Sequence, residues 1–341
     1  MIHGSLAPVE SVNWQSLLAG SITDPRILLS RLDLDPALLG PARAASADFS
    51  LRVPEPYLSR MQRGNPTDPL LRQVLPVGEE LLEHPDFVLD PLGEQQTNAR
   101  PGIIHKYHGR LLLVVSGGCA VNCRYCFRRH FPYEDNNLST DEWREALDYI
   151  RQDDSITEVI YSGGDPLAAS DRRLAWLTRE IADIAHVRRL RIHTRLPVVI
   201  PQRVTSELID ALCGTRLPVS MVLHCNHANE LDSQLGSAIQ TLRQAGVMLL
   251  NQAVLLRGVN DNIEAQVALS EALGDNGVLP YYLHVLDHVK GAQHFHVDDD
   301  TARRLSGELL ARLPGFLVPR LVREVAGATS KTPLPPTLIS Q

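Results

Sequence analysis

The chain has 341 residues, of which 44% are hydrophobic, 21% are charged and 5% are aromatic, a composition typical of a soluble globular protein. Asp and Glu total 40 against 33 Lys and Arg, and the net charge of −7 argues against a protein that clamps nucleic acid with a basic surface. No uninterrupted apolar run reaches the roughly 18 residues that cross a bilayer, and the N-terminus lacks a basic segment followed by an apolar one. We therefore expect a cytoplasmic protein that binds neither a membrane nor nucleic acid.

The first hundred residues contain many prolines and short, broken apolar groups, such as residues 14–18 and 27–32. This pattern favours several short helices joined by loops. We therefore predict a helical N-terminal region over residues 1–100, a regular domain over 101–312 and a C-terminal segment over 313–341.

Short apolar runs begin near Arg110 and alternate with longer runs of helical period. Because the short runs are often continuously apolar, they predict buried strands of a parallel sheet that is covered by helices. The six predicted strands span residues 111–116, 157–161, 190–194, 218–224, 247–255 and 279–286. The clearest helix begins with a capping box formed by Ser139 and Glu142.

Six strand-helix units are fewer than the eight of a closed TIM barrel, so the predicted fold class is α/β, an open partial (β/α)6 barrel. In such barrels the chemistry lies on the loops that follow the strands. A doubly wound sheet would instead place a glycine-rich phosphate loop after the first strand. Here the first strand is followed by Ser116-Gly117-Gly118-Cys119 and a group of cysteines.

The chain has 5 cysteines, and three of them, Cys119, Cys123 and Cys126, lie within eight residues. An odd total and such crowding indicate metal ligation in a reducing compartment. Three thiolates leave one iron of a cluster free for a substrate or cofactor, whereas structural zinc needs a fourth protein ligand. A zinc site completed by His130 is the alternative.

The Cys-x3-Cys-x2-Cys loop, with Tyr125 before the last cysteine, resembles that of the radical S-adenosylmethionine (SAM) superfamily. The resemblance implies that the three cysteines hold a 4Fe-4S cluster, that SAM binds the open iron, and that reduction yields a 5'-deoxyadenosyl radical. The residues at the end of the second predicted strand, Ser162, Gly163, Gly164 and Asp165, resemble the superfamily loop that holds the SAM amino group. A simple turn after a strand is the alternative for these four residues.

Further segments resemble lysine 2,3-aminomutase, a radical SAM family that also uses pyridoxal phosphate (PLP). They are residues 101–107 with Arg110, 126–129, 197–203, 224–230 and 251–261, and the likeness extends from about residue 68 to Lys331. The resemblance implies that Lys331 binds PLP covalently from the C-terminal segment, although relatives carry a longer glycine run before this lysine. An exposed lysine near a frayed C-terminus is the alternative.

The resemblance also implies roles for the remaining candidate residues. Lys106 and Arg110 would contact the PLP phosphate, Arg128 would bind the substrate α-carboxylate, Asp287 and Glu324 would bind the lysine ε-ammonium, and His224 and Gln252 would approach the SAM nucleoside. Each has an ordinary structural alternative, such as a solvated charge, a helix cap, an ion pair between Glu324 and Arg323, or a satisfied interior polar group.

The implied reaction moves the amino group of L-lysine from C2 to C3 and regenerates SAM. The short chain and residues 329–334 resemble the bacterial branch that makes (R)-β-lysine, which a ligase then attaches to elongation factor P. The expected partners are L-lysine, an electron donor such as flavodoxin or ferredoxin, and that modification system, and a homo-oligomer is left open. The alternatives are an aminomutase for arginine or glutamate, of which glutamate would be repelled by Asp287 and Glu324, and a non-catalytic adaptor stabilised by zinc.

Overall fold

Ten strands form one sheet in chain order in the computed structural model, which describes residues 13–136 and 138–338. The strands are β1 (Asn98–Arg100), β2 (Ile103–Tyr107), β3 (Arg110–Ser116), β4 (Glu158–Gly163), β5 (Arg189–Thr194), β6 (Val219–Leu223), β7 (Met248–Val254), β8 (Leu279–His284), β9 (Arg320–Arg323) and β10 (Thr332–Pro333). Strands β3 to β9 are parallel, whereas β1 to β3 pair antiparallel at one edge and β9 pairs antiparallel with β10 at the other. Within the described residues β1 and β10 do not pair with each other, so the barrel is open.

The six strands predicted from the sequence correspond to β3 to β8 and are confirmed. The sequence did not predict β1, β2, β9 and β10. Strands β1, β9 and β10 have only two to four residues, and β2 has two isoleucines followed by His105 and Lys106, so none of the four carries a continuous apolar run. Pairing with neighbouring strands keeps them extended.

Six long helices follow strands β3 to β8, which confirms the six strand-helix units. The α-helices are α1 (Trp14–Ala19), α2 (Pro25–Arg31), α3 (Leu39–Asp48), α4 (Glu55–Leu58), α5 (Pro69–Arg72), α6 (Glu94–Thr97), α7 (Thr140–Gln152), α8 (Asp171–Ala182), α9 (Leu196–Val199), α10 (Ser206–Cys213), α11 (Ser233–Gln244), α12 (Ile263–Asp275) and α13 (Asp299–Arg312). Short 3-10 helices lie at Pro36–Leu38, Gly78–Leu81, Glu134–Asn136, Pro166–Ala168, Pro201–Arg203, Ala228–Glu230, Gln293–Phe295 and Gly315–Leu317. The six helices that follow strands β3 to β8 are α7, α8, α10, α11, α12 and α13.

Helix α7 begins at the predicted capping box. The Ser139 hydroxyl accepts from the backbone N–H of Glu142 at 3.4 Å, and the Glu142 carboxylate accepts from the N–H of Ser139 at 2.7 Å. These bonds satisfy donors that the first helical turn leaves unpaired. Trp143 and Leu147 are then buried on the face that packs on the sheet.

One hydrophobic core includes residues from all three parts of the chain. Leu28 of the N-terminal helices, Leu113 and Ile192 of the barrel strands, and Leu321 and Leu334 of the C-terminal segment belong to it. The short N-terminal helices therefore pack on the barrel, and the division into three regions stays a prediction about sequence organisation. None of the helices in the described part of the chain combines the length and the apolar character needed to cross a bilayer.

Candidate active site

A cavity of about 1100 Å³ lies inside the curved sheet. All fifteen candidate site residues predicted from the sequence line it: Lys106, Arg110, Cys119, Cys123, Cys126, Arg128, Ser162, Gly163, Gly164, Asp165, His224, Gln252, Asp287, Glu324 and Lys331. Because parallel strands end at one edge of a barrel, loops that are far apart in the sequence meet there.

The loop after β3 places the three cysteines on the cavity wall. Arg52 donates to the carbonyl oxygen of Cys119 at 3.1 Å, and Arg195 donates to the Cys123 sulfur at 3.0 Å. Burial and the neighbouring thiols raise the pKa of Cys119, and the same causes raise that of Cys126 to about 11. Cys119 and Cys126 therefore need a cationic partner to stay ionised as thiolates.

The surroundings of the cysteines suit an iron-sulfur cluster better than zinc. The ring of His130, the proposed fourth zinc ligand, has its Nε2 atom 3.2 Å from the Lys290 carbonyl oxygen. Among the residues that the structure describes, no three His, Cys, Asp or Glu side chains surround one metal position. A 4Fe-4S cluster does not require such convergence, because each thiolate binds a different iron.

Arg195, which the sequence reasoning missed, connects the cysteine loop to the surrounding elements. Its Nη2 atom donates to Tyr57 at 2.9 Å, to Gln73 at 2.8 Å and to Glu230 at 3.0 Å, and its Nη1 atom also contacts the Tyr125 hydroxyl. These partners come from distant parts of the chain, so only the fold reveals them. The one signal in the sequence was the position of this arginine directly after a predicted strand.

The two glycines at the end of β4 allow this loop to pack against the backbone that leads to Cys119. Gly163 has a φ of +124°, and a Cβ there would clash with the Ser116 carbonyl oxygen. A Cβ on Gly164 would lie 2.6 Å from the Gly117 carbonyl oxygen. Glycine is therefore required at both positions for the two loops to meet.

The Asp165 side chain is fully occupied by the protein. One carboxylate oxygen accepts from Leu167 N at 3.0 Å and Thr194 Oγ1 at 2.7 Å, and the other accepts from Arg195 N at 2.7 Å and Leu196 N at 2.9 Å. Burial raises the pKa of Asp165, and these four bonds only partly offset that effect. These four hydrogen bonds use the acceptor capacity of the Asp165 carboxylate, and they connect the end of β4 to the end of β5.

Arg128 is buried and makes a two-pronged ion pair with Glu94. Its Nε and Nη2 atoms lie 2.6 and 2.8 Å from the two Glu94 oxygens, and its Nη1 atom donates to Ser162 at 3.0 Å and to the Gly163 carbonyl at 3.3 Å. Although burial alone would lower the pKa of Arg128, the charge of Glu94 raises it above its usual range. The sequence analysis did not identify Glu94, which lies in an irregular stretch without a motif.

A second carboxylate, Glu324, holds the ammonium group of Lys331. Their Oε2 and Nζ atoms are 2.6 Å apart, and Tyr107 donates to the other Glu324 oxygen at 3.0 Å. Lys106 lies between the two carboxylates, 3.4 Å from Glu94 and 3.8 Å from Glu324. Lys331 therefore faces the cavity, and its side chain is only 21% exposed, so the alternative of an exposed terminal lysine is wrong.

Arg323, the alternative partner for Glu324, pairs with Asp299 instead. Burial by itself would raise the pKa of Glu324, but the adjacent Lys331 outweighs burial and lowers it. Glu324 is therefore an ionised carboxylate on the cavity wall.

Asp287 follows β8 and has a different electrostatic environment. Burial and the negative charge of Glu324 raise its pKa to about 7. In the described part of the chain no hydrogen-bond donor is paired with its carboxylate. Asp287 is thus available to a cation that enters the cavity.

Histidines line the cavity between these charged groups. His224 follows β6, and its Nε2 atom lies 2.9 Å from Nε2 of Gln252 on β7. Burial lowers the pKa of His224 to about 3, so the ring is neutral. The Nε2 atoms of His193 and His284, which the sequence analysis did not name, are buried without a partner, as expected where a polar ligand binds.

Comparison with known proteins agrees with this arrangement. The Radical SAM superfamily model matches residues 113–230, which contain the cysteine and glycine loops. L-lysine 2,3-aminomutase of Escherichia coli (strain K12) is 52% identical to this chain over 94% of each chain. The protein of that name from Haemophilus influenzae is 50% identical over 95% of this chain and 96% of its own, and that of Clostridium subterminale is 36% identical over 83% and 68%.

The chain belongs to the L-lysine 2,3-aminomutase family. It is therefore a radical SAM isomerase, which confirms the family and the partial-barrel fold and makes the zinc adaptor wrong. Its cofactors are a 4Fe-4S cluster, SAM and PLP.

The residues present fit these three cofactors. In the described part of the chain no fourth metal-binding side chain joins the three thiols, which suits a cluster that keeps one iron open. The orphaned histidine nitrogens and the volume of the cavity suit a large polar ligand. Lys331 shares the cavity wall with two further cations, Lys106 on β2 and Arg110 at the start of β3, and such a group suits a phosphorylated aldehyde.

Proposed function

We propose that this L-lysine 2,3-aminomutase family member moves the amino group of L-lysine from C2 to C3 and so produces β-lysine. The observation that carries the proposal is that Glu324 holds an ammonium group of a lysine side chain, that of Lys331, at 2.6 Å inside the cavity. A site that binds this group from its own chain has the charge and the geometry to bind the ε-ammonium of a substrate lysine.

The two ends of the substrate have matching partners. Arg128 offers a planar, buried guanidinium for the α-carboxylate, a role in which lysine would not replace arginine. Glu324 and Asp287 offer two carboxylates for the ε-ammonium. Arg128 and these carboxylates line one cavity, so a single substrate can reach both ends.

The remaining candidate residues would hold the cofactors. Cys119, Cys123 and Cys126 would ligate the cluster, Ser162, Gly163, Gly164 and the backbone of Asp165 would contact SAM together with His224 and Gln252, and Lys331, Lys106 and Arg110 would hold PLP and its phosphate. When bound, these cofactors supply the 5'-deoxyadenosyl radical and the carbonyl that carries the migrating nitrogen.

Glu324 would bind the ammonium group of Lys331 first and the ε-ammonium group of the substrate afterwards. In this structure its Oε2 atom accepts a hydrogen bond from the Lys331 ammonium. With Lys331 turned to PLP, Glu324 would keep only the more distant Lys106, 3.8 Å away, and its negative charge would add to that of Asp287. The two carboxylates then favour a new cation between them, and the substrate ε-ammonium provides it.

The same charges discriminate between amino acids. A glutamate side chain would bring a third carboxylate next to Asp287 and Glu324, and the repulsion would reject it. Arginine carries a cation as well, but its guanidinium is longer and branched. We therefore propose lysine as the substrate, with arginine as the competing candidate.

The finer identity of the product and of the partners also belongs to this proposal. We propose the (R) form of β-lysine, transfer to elongation factor P through a ligase, a flavodoxin or ferredoxin as the electron donor, and a cytoplasmic location. Residues 329–334, which resemble that branch of the family, support the first two. A cluster bound by free thiols, which needs a reducing compartment, supports the last two.

An anaerobic assay tests the reaction. Reconstituted protein with SAM, PLP and reductant should convert L-lysine to β-lysine, with the enantiomer identified by chiral chromatography, and should leave glutamate unchanged. Faster turnover of arginine than of lysine would contradict the substrate assignment. Mass spectrometry of elongation factor P, in a strain whose own aminomutase gene is replaced by this one, tests the cellular role.

A further inference from the structure

Glu94 forms an ion pair with the Arg128 guanidinium in the geometry that a substrate carboxylate would adopt. Both Glu94 oxygens face the Nε and Nη2 atoms at 2.6 and 2.8 Å, the two-pronged geometry by which arginine binds carboxylates. Glu94 is itself buried, with 5% of its surface exposed. Although burial alone would raise its pKa, the charge of Arg128 holds the pKa of Glu94 below its usual range, so the carboxylate is ionised.

The Nη1 atom of Arg128 cannot join a second two-pronged pair in this geometry. The Nη1 atom donates to the Ser162 hydroxyl at 3.0 Å and to the Gly163 carbonyl at 3.3 Å. The planar edge formed by Nε and Nη2 is therefore the one edge on which two parallel hydrogen bonds are made, and Glu94 holds it. A substrate carboxylate that binds there must displace Glu94.

The structure also shows where Glu94 can go. Its carboxylate lies 3.4 Å from the Lys106 ammonium, a second cation on the same side of the cavity. Glu94 opens the single-turn helix α6, and a short helix of this kind has little cooperative hydrogen bonding to resist a shift. Glu94 can thus leave Arg128 without becoming an isolated buried charge.

Both substrate-binding ends of the cavity are therefore paired internally in the same way. Glu94 provides a carboxylate for Arg128, and Lys331 provides an ammonium for Glu324. We propose that Glu94 is an internal competitor of the substrate carboxylate at Arg128, and that only a ligand with its own carboxylate releases it. This inference rests on the proposed function, because it takes Arg128 as the carboxylate site.

The consequence is selectivity for an amino acid over an amine. Cadaverine has the two ammonium groups of lysine but no carboxylate, so it cannot replace Glu94. When L-lysine binds, its carboxylate replaces that of Glu94 at Arg128. The competition with Glu94 lowers the affinity of the protein for lysine. Removal of the Glu94 charge should therefore strengthen the binding of lysine and should not strengthen the binding of cadaverine.

Equilibrium dialysis of the cofactor-loaded protein measures the affinities for lysine and cadaverine. The reductant is left out, because then no radical forms and lysine is not consumed. Glu94→Gln should bind L-lysine about tenfold more tightly than the unchanged protein, because one charge-assisted pair no longer opposes it. Glu94→Asp, which keeps the charge on a shorter side chain, should give an intermediate affinity. With reductant present, Glu94→Gln should lower KM for lysine.

Asp171→Asn is the matched control. Asp171 pairs with another buried arginine, Arg203, at 2.7 Å outside the cavity, so its loss should leave lysine affinity unchanged. If Glu94→Gln binds lysine as weakly as, or more weakly than, the unchanged protein, Glu94 is a permanent support for Arg128 and the inference is wrong. Arg128→Gln tests the carboxylate site separately from the role of Glu94. If this variant binds lysine as tightly as the unchanged protein, Arg128 is not the carboxylate site, and the proposed function is wrong as well.

Discussion

At the scale of single residues, the cavity is a set of buried charges of alternating sign. Arg128, Glu94, Lys106, Glu324 and Lys331 each lie within 4 Å of a partner of opposite charge. Such pairing is needed because an isolated ion in a partly dry cavity would be neutralised by a shift of its pKa. A charged group of a ligand can therefore replace one partner of such an ion pair, but neither partner can be removed without a replacement.

Asp287 is the exception, and its raised pKa makes the reaction dependent on pH. With a pKa of about 7, its carboxyl group is mostly neutral at pH 6 and mostly ionised at pH 8. Only the ionised form attracts the lysine ε-ammonium, so kcat/KM should rise between pH 6 and 8, by up to about tenfold. The pH profile of kcat/KM is the measurement, because it reports ionisations of the enzyme before the substrate binds.

Asp287→Asn isolates this contribution. The variant should lack the rise near pH 7, and at pH 8 its kcat/KM for lysine should fall roughly ten- to a hundredfold, since one charge-assisted contact is lost. Its iron and PLP contents should match those of the unchanged protein. An equally steep rise in the variant would assign the titration to another group.

Lys331 should be the residue that carries PLP. Its Nζ atom lies in the cavity, next to Glu324 and 5.7 Å from the centre of the Tyr282 ring. Borohydride treatment of the PLP-loaded protein, followed by peptide mapping, should therefore find the cofactor on Lys331, and Lys331→Ala should lose the label and the activity but keep the cluster. Lys290, which is exposed, provides the control, and a label there would contradict the assignment.

At the scale of elements, the site depends on how closely two loops approach. The loop after β4 packs on the loop after β3, with the Gly164 N–H donating to the Ser116 carbonyl at 2.8 Å and the Asp165 N–H donating to the Gly118 carbonyl at 2.8 Å. These bonds connect the candidate SAM loop to the candidate cluster loop. A change in one loop should therefore affect both cofactors.

Gly164→Ala tests this connection. The added methyl group would lie 2.6 Å from the backbone oxygen of Gly117, which cannot move as a flexible side chain would. The free energy of unfolding of the apoprotein should fall by roughly 1 to 3 kcal/mol, as measured by urea denaturation, and less iron and sulfide should be retained after reconstitution. Gly40→Ala in α3, where no atom lies within 4 Å of the added Cβ, should be neutral or slightly stabilising.

At the scale of the whole molecule, a buried carboxylate joins the N-terminal region to the cysteine loop. Glu80 lies 2.7 Å from Arg124 and 2.9 Å from Arg129, two residues that flank Cys126, and all three side chains are at most 1% exposed. Arg124 also donates to the carbonyl of Phe49 at 2.8 Å. The N-terminal helices thus support the candidate cluster loop directly.

Glu80→Gln should therefore destabilise the protein far more than a surface change. The substitution leaves the buried Arg124 guanidinium without a counterion and leaves Arg129 with only Asp48, 3.4 Å away, and the expected loss is roughly 3 to 5 kcal/mol of unfolding free energy. Denaturation of the apoprotein measures it. The control is Glu55→Gln, which breaks the exposed pair with Arg31 and should cost less than about 1 kcal/mol; equal losses would contradict this role of Glu80.

The amino-acid sequence by itself determined the features that depend on local patterns. The six long strands follow from continuous apolar runs, the start of α7 from its capping box, and the cysteine loop from spacing alone. Because each pattern lies within one short segment, it can be recognised without knowing what packs against it. The resemblance to a family then named further residues, and the structure brings all of these to one cavity.

The tertiary structure alone decided which of these residues pair. Glu94 and Arg195 have no motif; Glu94 pairs with Arg128, 34 positions away, and Arg195 pairs with Glu230 and Tyr57, 35 and 138 positions away. Asp165 matches a family motif, yet its side chain is bound entirely by the protein. Hydrogen bonds and charges act over a few ångströms in space, and the distance between two residues along the chain does not reveal which of them will meet.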